Sequence, residues 1–208
     1  MVRNASIEEI IRRYFNTACQ YKKGQVNKDA YETISLILEK VNVKPEDRTV
    51  VIPSREYSEK LRQEADRQDV YPVVALQVLD GTIITGKSSD LMCASAAAVL
   101  NAIKYMANIP DDMYLISPVI LNPIIKLKTE TLGGINVSLG LEEVLSALAI
   151  CAVTNPTAEL AMEKLSELKN IQAHSTTIIS QDDEQTFRKL GIQITCDPEY
   201  PSQNLYYN

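Results

Sequence analysis

The segment from Gly81 to Ser88 satisfies the pattern G-x-x-x-x-G-K-[ST], the signature of a loop that binds nucleotide phosphates. In such a loop the four intervening residues form a turn whose backbone amides surround the phosphate. Here those residues are Thr-Ile-Ile-Thr, and β-favouring residues directly after Asp80-Gly81 indicate the return strand of a hairpin with a two-residue turn. The sequence therefore favours a hairpin, and nucleotide binding or hydrolysis is the alternative.

A second candidate chemistry is anion binding by the residues that end this strand. Gly86 to Ser89 joins a predicted strand to a predicted helix, where free amides and the helix dipole attract anions and Lys87 adds a positive charge. The alternative is that Ser88 or Ser89 only caps the helix, which is the more common role of serine at this position. The candidate ligand-binding residues are Gly86, Lys87, Ser88, Ser89, Asn155, Thr157 and Thr176.

Acid–base catalysis near neutral pH has one candidate, His174, the single histidine of the chain. It opens a predicted strand, on which Ser175 points to the opposite face while Thr176 shares the side of the histidine. Catalysis also needs a nucleophile and a carboxylate within reach of the imidazole. Because the sequence places no such partner at a recognisable spacing from His174, a structural role is favoured for this histidine. The alternative is an enzyme that uses His174 and Lys87 and whose site another chain completes.

The composition excludes several classes of protein. The chain carries 27 acidic and 21 basic side chains, a net charge of −6, and no tryptophan. This balance argues against binding of nucleic acid or of an anionic membrane surface. The longest uncharged run, from Val144 to Ala158, is shorter than a membrane span, and the first residues lack the apolar core of an export signal. With four dispersed cysteines and no C-x-x-C, we expect a cytoplasmic protein without disulfides or bound metal.

The elements that must position these residues begin with a helical subdomain over residues 1–70. Ser6 opens the pattern of a capping box before the first helix. Asn27 is the expected cap of a second helix, which we expect to pair with the first as a hairpin. A short strand over Thr49–Ile52 and a charged helix over Ser54–Gln68 lead into the second part.

Residues 71–208 alternate between strands and helices, the pattern of an α/β domain. The predicted strands are Val73–Leu79, Thr82–Thr85, Met113–Ile116, His174–Ile179 and Ile192–Cys196. The predicted helices are Ser89–Ala107, Pro118–Lys128, Leu141–Val153, Thr157–Leu168 and Asp182–Leu190. We expect these helices to cover both faces of a mixed sheet, which makes three α-β-α layers.

This order of elements resembles the cytidine-deaminase fold, and GTIITGKSSDLMCASAAAVLNAI is similar to the first hairpin and helix of that fold. Zinc-dependent deaminases need His or Cys followed two residues later by Glu, together with a Pro-Cys-x-x-Cys segment. Here Cys93 is followed by Ala94 and Ser95, no Pro-Cys pair occurs, and the histidine lies far along the chain. The sequence therefore argues against deaminase chemistry, and no cofactor is predicted.

Several long strings resemble the C-terminal part of a bacterial family of unknown function, domain of unknown function 1846. They are TNPTAELAMEKL, AHSTTIIS, LDGTIITGKSSDLMCASAAAVLNAIKY, IIRRYF, PEDRTVVIPSRE and LGIQITCDPEYP. The resemblance implies a helical subdomain beside a deaminase-like α/β subdomain, a longer polypeptide whose N-terminal part is an expected partner, and no established activity. We therefore expect a module that binds a small phosphate-bearing anion or a partner chain, with a homo-oligomer as a further option.

Overall fold

A computed structural model of the chain describes residues 2–65 and 69–201. The α-helices of those ranges are α1 (Val2–Lys22), α2 (Lys28–Val41), α3 (Val51–Glu64), α4 (Ala94–Met106), α5 (Pro118–Lys126), α6 (Leu141–Ala152), α7 (Pro156–Glu163) and α8 (Gln181–Lys189). The strands are β1 (Val73–Gln77), β2 (Ile83–Lys87), β3 (Gln172–Ser175) and β4 (Gln193–Cys196). None of these helices is both long and apolar enough to cross a membrane.

The strands form one mixed sheet in the order β2-β1-β3-β4, which confirms the predicted α/β class. Strand β1 is antiparallel to β2 and β3, whereas β3 and β4 are parallel. Neighbouring residues of β3 face opposite sides of the sheet. Ala173 lies in the core that α4, α6 and α7 share, and His174 contacts the ring of Phe15 in α1. Helices therefore cover both faces of the sheet; the closer likeness to cytidine deaminases stays a prediction.

Residues 2–65 contribute directly to this layered arrangement. Helix α3 contacts β1, β2 and β3, and α1 contacts β4. Between them lies Arg48, whose side chain is fully buried. It donates to Glu8 of α1 at 2.9 Å and to the carbonyl oxygens of Ala173 in β3 and Gln193 in β4 at 3.3 and 2.6 Å. The division of the chain into two domains at residue 70 stays a prediction.

The first two helices pair as predicted. Asn27 caps α2, because its side-chain oxygen accepts from the backbone N–H of Ala30 at 3.0 Å. The rings of Tyr21 and Tyr31 stack with their centroids 5.3 Å apart, which joins α1 to α2. The capping box expected at Ser6 is wrong, since α1 is already helical from Val2 and Ser6 lies inside it.

Two of the predicted strands are wrong. At Thr49–Ile52 the chain forms a turn and then α3, which begins at the fully buried Val51. A short apolar run fits a strand and the buried start of a helix equally well, so its composition did not separate the two. The segment Met113–Ile116 is irregular. Lys104 donates from Nζ to the carbonyl oxygen of Met113 at 2.8 Å, so a side chain replaces the neighbouring strand as hydrogen-bond partner.

The segment from Gly81 to Ser88 lies mostly in strand β2, which confirms the hairpin interpretation. The connection comprises residues 79–81 rather than two residues, because the N–H of Val78 bonds to the carbonyl oxygen of Thr82 at 3.0 Å. Gly81 adopts a φ of +90°, a conformation that is readily accessible to glycine. An extended strand does not wrap its amides around a phosphate, so the geometry gives no support to the nucleotide alternative.

Helix α4 packs directly over Gly86 of β2. A methyl group at this position would lie 2.1 Å from the backbone nitrogen of Ala98 and 2.5 Å from its Cα. These are backbone atoms of a helix, so no flexible side chain can move aside. The absence of a side chain at Gly86 is therefore a requirement of helix-to-sheet packing.

We predict that Gly86→Ala lowers the free energy of unfolding by about 3 kcal/mol, because the added methyl group forces α4 away from the sheet. Lys87→Ala changes the next residue, which is exposed, and should alter stability by no more than about 0.5 kcal/mol. Urea denaturation followed by circular dichroism measures both variants. Equal stabilities of the two would contradict this account of the packing.

Candidate functional site

A cleft of about 1040 Å³ opens where helices α4, α6 and α8 begin, beside the end of strand β3. We call it the three-helix cleft. Its floor contains Cys93, which occupies the N-cap position of α4, and Asp183 in the first turn of α8. The starts of three helices carry backbone N–H groups without intrahelical partners, so this region needs hydrogen-bond acceptors.

Asp183 supplies acceptors to two of these helices at once. Its Oδ1 accepts from the N–H of Leu141 in α6 at 2.8 Å, and its Oδ2 accepts from the Cys93 thiol at 3.2 Å. Ser180 caps α8 by accepting from the N–H of Asp183 at 3.1 Å, which fixes the position of the carboxylate. One buried side chain thereby joins the starts of α4, α6 and α8.

Cys93 is a hydrogen-bond donor here rather than a nucleophile. Burial raises the pKa of its thiol to about 12, and the neighbouring Asp183 carboxylate acts in the same direction. The amides of Ser95 and Ala96 oppose the shift but do not cancel it. At neutral pH the side chain is the protonated thiol, which suits its bond to Asp183 and not covalent catalysis.

The rim at the start of α6 holds a second carboxylate. Glu143 accepts from the N–H of Gly140 at 2.7 Å and from Nζ of Lys128 at 2.8 Å. Lys128 also donates to the carbonyl oxygen of Ser138 at 2.9 Å. This lysine is therefore already paired with protein oxygens and offers little free positive charge to a ligand.

The lining of the three-helix cleft is acidic and rich in hydroxyl groups. Its acidic residues are Asp90, Glu142, Glu143, Asp182 and Asp183, and its lysines are Lys23 and Lys128. Its serines and threonines are Ser88, Ser89, Ser95, Ser138, Ser146, Ser175, Thr177 and Ser180. With five carboxylates against two lysines, the side chains oppose the anionic ligand that the sequence suggests.

Of the residues predicted around the strand end, Ser88 and Ser89 line the cleft, whereas Gly86 and Lys87 do not. The expectation that a serine here caps the following helix is wrong, because α4 begins at Ala94, further along the chain. Ser89 instead accepts from the N–H groups of Leu91 and Met92, both at 3.3 Å, and so caps the turn that precedes the helix.

The remaining ligand candidates have local structural roles. Asn155 caps α7 by accepting from the N–H of Thr157 at 3.0 Å, and neither residue lines the cleft. Thr176 ends the β3 pairing earlier than predicted: its Oγ1 accepts from the N–H of Val73 at 3.0 Å and donates to the carbonyl oxygen of Tyr71 at 2.9 Å. The assignment of these residues to ligand binding stays a prediction.

His174 is fully buried on the face of the sheet that α1 covers. Its Nδ1 lies 2.8 Å from Oγ1 of Thr195, and its Nε2 lies 3.4 Å from Oδ1 of Asp197. Asp197 is held by Arg55 of α3 through two bonds of 2.9 and 2.6 Å. Lys87 is exposed on β2, with β1 between it and β3, so the structure does not bring Lys87 and His174 together.

Burial lowers the pKa of His174, and the attraction of Asp197 only partly offsets this effect. Burial alone would raise the pKa of Asp197, but His174 and Arg55 outweigh it and hold the pKa below its usual range. At neutral pH the imidazole is therefore neutral beside an ionised carboxylate. This environment fits the structural role that the sequence favours for the histidine.

Within residues 2–65 and 69–201, no three His, Cys, Asp or Glu side chains are grouped so that they could hold a metal ion. The fold and the cleft together define an α/β domain with a polar, acidic cleft at the starts of three helices. The chain belongs to the DUF1846 family, since the family model described as "Domain of unknown function DUF1846, C-terminal" matches residues 46–206. The resemblance drawn from the sequence is thus confirmed.

The relatives of this chain are longer proteins. A UPF0371 protein of Clostridioides difficile is 69% identical over all 208 residues, which make up 42% of its length. UPF0371 proteins of Clostridium tetani and Clostridium botulinum are 59% and 60% identical over the same 208 residues, which make up 41% of each. The chain therefore spans about two fifths of the length of the curated relatives it matches.

We predict that stability decreases as pH falls below 6.5, the usual pKa of histidine. The pKa of His174 is lower in the folded than in the unfolded chain, so the unfolded chain takes up a proton first. Between the two pKa values the free energy of unfolding falls by up to about 1.4 kcal/mol per pH unit. His174→Asn should remove this slope between pH 7 and pH 5, as measured by urea denaturation. An unchanged slope would show that another group causes it.

We predict that Cys93 reacts slowly with iodoacetamide at pH 8, because little of it is thiolate. Asp183→Asn removes the negative charge beside the thiol and should increase the rate of alkylation several-fold. Peptide mass spectrometry measures the alkylation of Cys93 separately from that of the other cysteines. Asp182→Asn, an exposed neighbour, is the control, and an equal increase in that variant would argue against the contact between Cys93 and Asp183.

Proposed function

We propose that this domain binds a small, hydroxyl-rich molecule in the three-helix cleft. The observation that carries the proposal is the lining, in which eight serine and threonine residues surround about 1040 Å³ of space. Small-molecule sites have volumes of this order. Ser138 and Ser146 already donate to backbone carbonyl oxygens, but a hydroxyl that makes one bond within the protein keeps hydrogen-bonding capacity for a ligand hydroxyl. Sugars, polyols and nucleosides are ligands of this class.

The charge of the lining favours a neutral or cationic ligand. Five carboxylates face two lysines, and Lys128 already bonds to Glu143 and to Ser138. A phosphate-bearing ligand, the class expected from the sequence, would have to overcome this repulsion with the attraction of Lys23 and of the helix dipoles. We therefore rank it second.

Binding is proposed without an assigned reaction. His174 does not line the cleft, and the raised pKa of Cys93 leaves that thiol protonated. A general base or nucleophile for a reaction in the cleft would have to come from its carboxylates or from another part of the longer family polypeptide. The domain by itself supplies a shaped polar site.

The proposal is tested by thermal denaturation with a panel of neutral sugars, polyols and nucleosides, each beside its phosphorylated form. A ligand present at a hundred times its Kd raises the free energy of unfolding by about 2.7 kcal/mol, which a melting curve detects. Gln181 is exposed and lines the cleft, and Gln185 is exposed one turn further along α8 and does not line it. Gln181→Trp should abolish the shift, and Gln185→Trp should preserve it.

A shift with neutral compounds that phosphorylation weakens supports the proposal. A larger shift with the phosphorylated forms would rank phosphate-bearing ligands above neutral ones. If the Gln181→Trp variant keeps the shift in melting temperature, the ligand binds outside this cleft. No shift with any compound would refute the binding of a hydroxyl-rich molecule by this domain.

A further inference from the structure

A second concavity runs along strand β4, the last strand of the sheet in the described ranges. It has a volume of about 640 Å³, and its lining comes from α1 and the turn after it, from Ile178 and Ile179, from α8 and from Gly191 to Cys196. We call it the edge groove. Helices α1 and α8 form its two walls. The groove therefore opens between the two helix layers, level with the edge of the sheet. A further strand would continue the sheet there.

The backbone of β4 is arranged to accept such a strand. The N–H groups of Gln193 and Asp197 bond inward to the carbonyl oxygens of Ile171 and Ser175. In a parallel ladder every second residue bonds to the neighbouring strand. The residues between them turn their N–H and C=O groups to the opposite side. Ile194 is such a residue, so its two backbone groups face the groove. The next outward carbonyl oxygen, that of Cys196, accepts from the thiol of Cys19 in α1 at 3.2 Å, so the open part of the edge lies at Ile194. Open strand edges are sites of strand addition.

The side chains of the edge groove carry the opposite charge to the protein as a whole. The basic residues of its lining are Arg12, Arg13, Lys23 and Arg188, and the acidic residues are Glu9 and Glu184. Arg12 and Arg13 pair with Glu9, and Arg188 pairs with Glu184. The basic side chains still outnumber the acidic ones by two, on a chain with a net charge of −6. In addition, Nε of Arg12 is shielded from solvent and has no hydrogen-bond partner among the described residues. A buried donor without an acceptor is costly and is expected to find one in the assembled protein.

We propose that the edge groove receives an extended, acidic strand from the part of the family polypeptide that lies outside these 208 residues. The relatives carry more than half of their length outside the matched region, so each of them has additional polypeptide that could supply such a strand. A second copy of this chain fits less well, because pairing two β4 edges would bring the arginines of one groove against those of the other. This inference is independent of the ligand proposed for the three-helix cleft.

Hydrogen–deuterium exchange on the intact Clostridioides difficile relative tests whether the groove is filled. The 208-residue chain alone, measured in parallel, should exchange the amides of Ile194 and Cys196 quickly. In the intact relative the aligned amides should exchange at least about tenfold more slowly, because strand addition gives them partners. Equal exchange in the two proteins would overturn the proposal. So would protection in the 208-residue chain that rises with its concentration, since a second copy would then fill the groove.

Variants of the 208-residue chain test the chemistry of the groove. The remaining polypeptide of the relative is produced with this chain in one cell, and the Kd of the purified pair is measured. Ile194→Pro removes the outward N–H without removing an inward bond, and Ile194→Val trims the side chain but keeps that N–H. The proline variant should weaken binding at least about tenfold relative to the valine variant.

A second variant leaves the backbone unchanged. Arg12→Glu combined with Arg188→Glu should also raise the Kd about tenfold or more, whereas Arg62→Glu on the exposed face of α3 should not. Binding that none of these variants weakens would place the partner elsewhere, for instance on the exposed apolar residues Val119, Leu132 and Ile135, and would overturn the proposal. None of the altered residues lines the three-helix cleft, so the two proposals fail separately.

Discussion

The buried guanidinium of Arg48 is the interaction on which the layered arrangement depends. It bonds to Glu8 of α1 and to carbonyl oxygens of β3 and β4, so one side chain joins a helix layer to two strands. Burial lowers the pKa of Arg48, and the carboxylate of Glu8 opposes that shift. A buried charge with this many partners is stable only when all of them are in position, which couples the helices of the first part to the sheet of the second.

The same requirement shapes both concave sites. At the three-helix cleft, Asp183 satisfies the N–H of Leu141 and the thiol of Cys93, so the positive ends of neighbouring helices can meet without repelling each other. At the edge groove, arginines line strand β4, which has no further strand on its outer side within residues 2–65 and 69–201. In the cleft the carboxylates outnumber the lysines, whereas in the groove the basic side chains outnumber the acidic ones. This difference is why we assign a polar small molecule to the first and an acidic strand to the second.

Much of the fold follows from local patterns. Asn27 caps the helix that it is predicted to cap, and Asp80-Gly81 precedes the return strand of a hairpin. The two wrong strands were predicted at short apolar runs, of which Val51, Leu115 and Ile116 are buried and Tyr114 is exposed. Val51 opens a helix against the sheet, and the carbonyl oxygen of Met113 is bonded by Lys104 instead of a strand. A short apolar run indicates that some of its residues are buried, but it does not indicate which element packs against them.

The sequence by itself determined the α/β class, the family, the extended form of the Gly81 to Ser88 segment and the lack of the zinc-deaminase motif, because each depends on residue types at short spacing. Only the tertiary structure decided which groups meet. Arg55, Asp197 and His174 form one chain of contacts that runs into the core, although long stretches of sequence separate them. The sign of the charge at a helix start also depends on carboxylates from other helices. Contacts of this range follow from how the layers pack, and no local pattern encodes them.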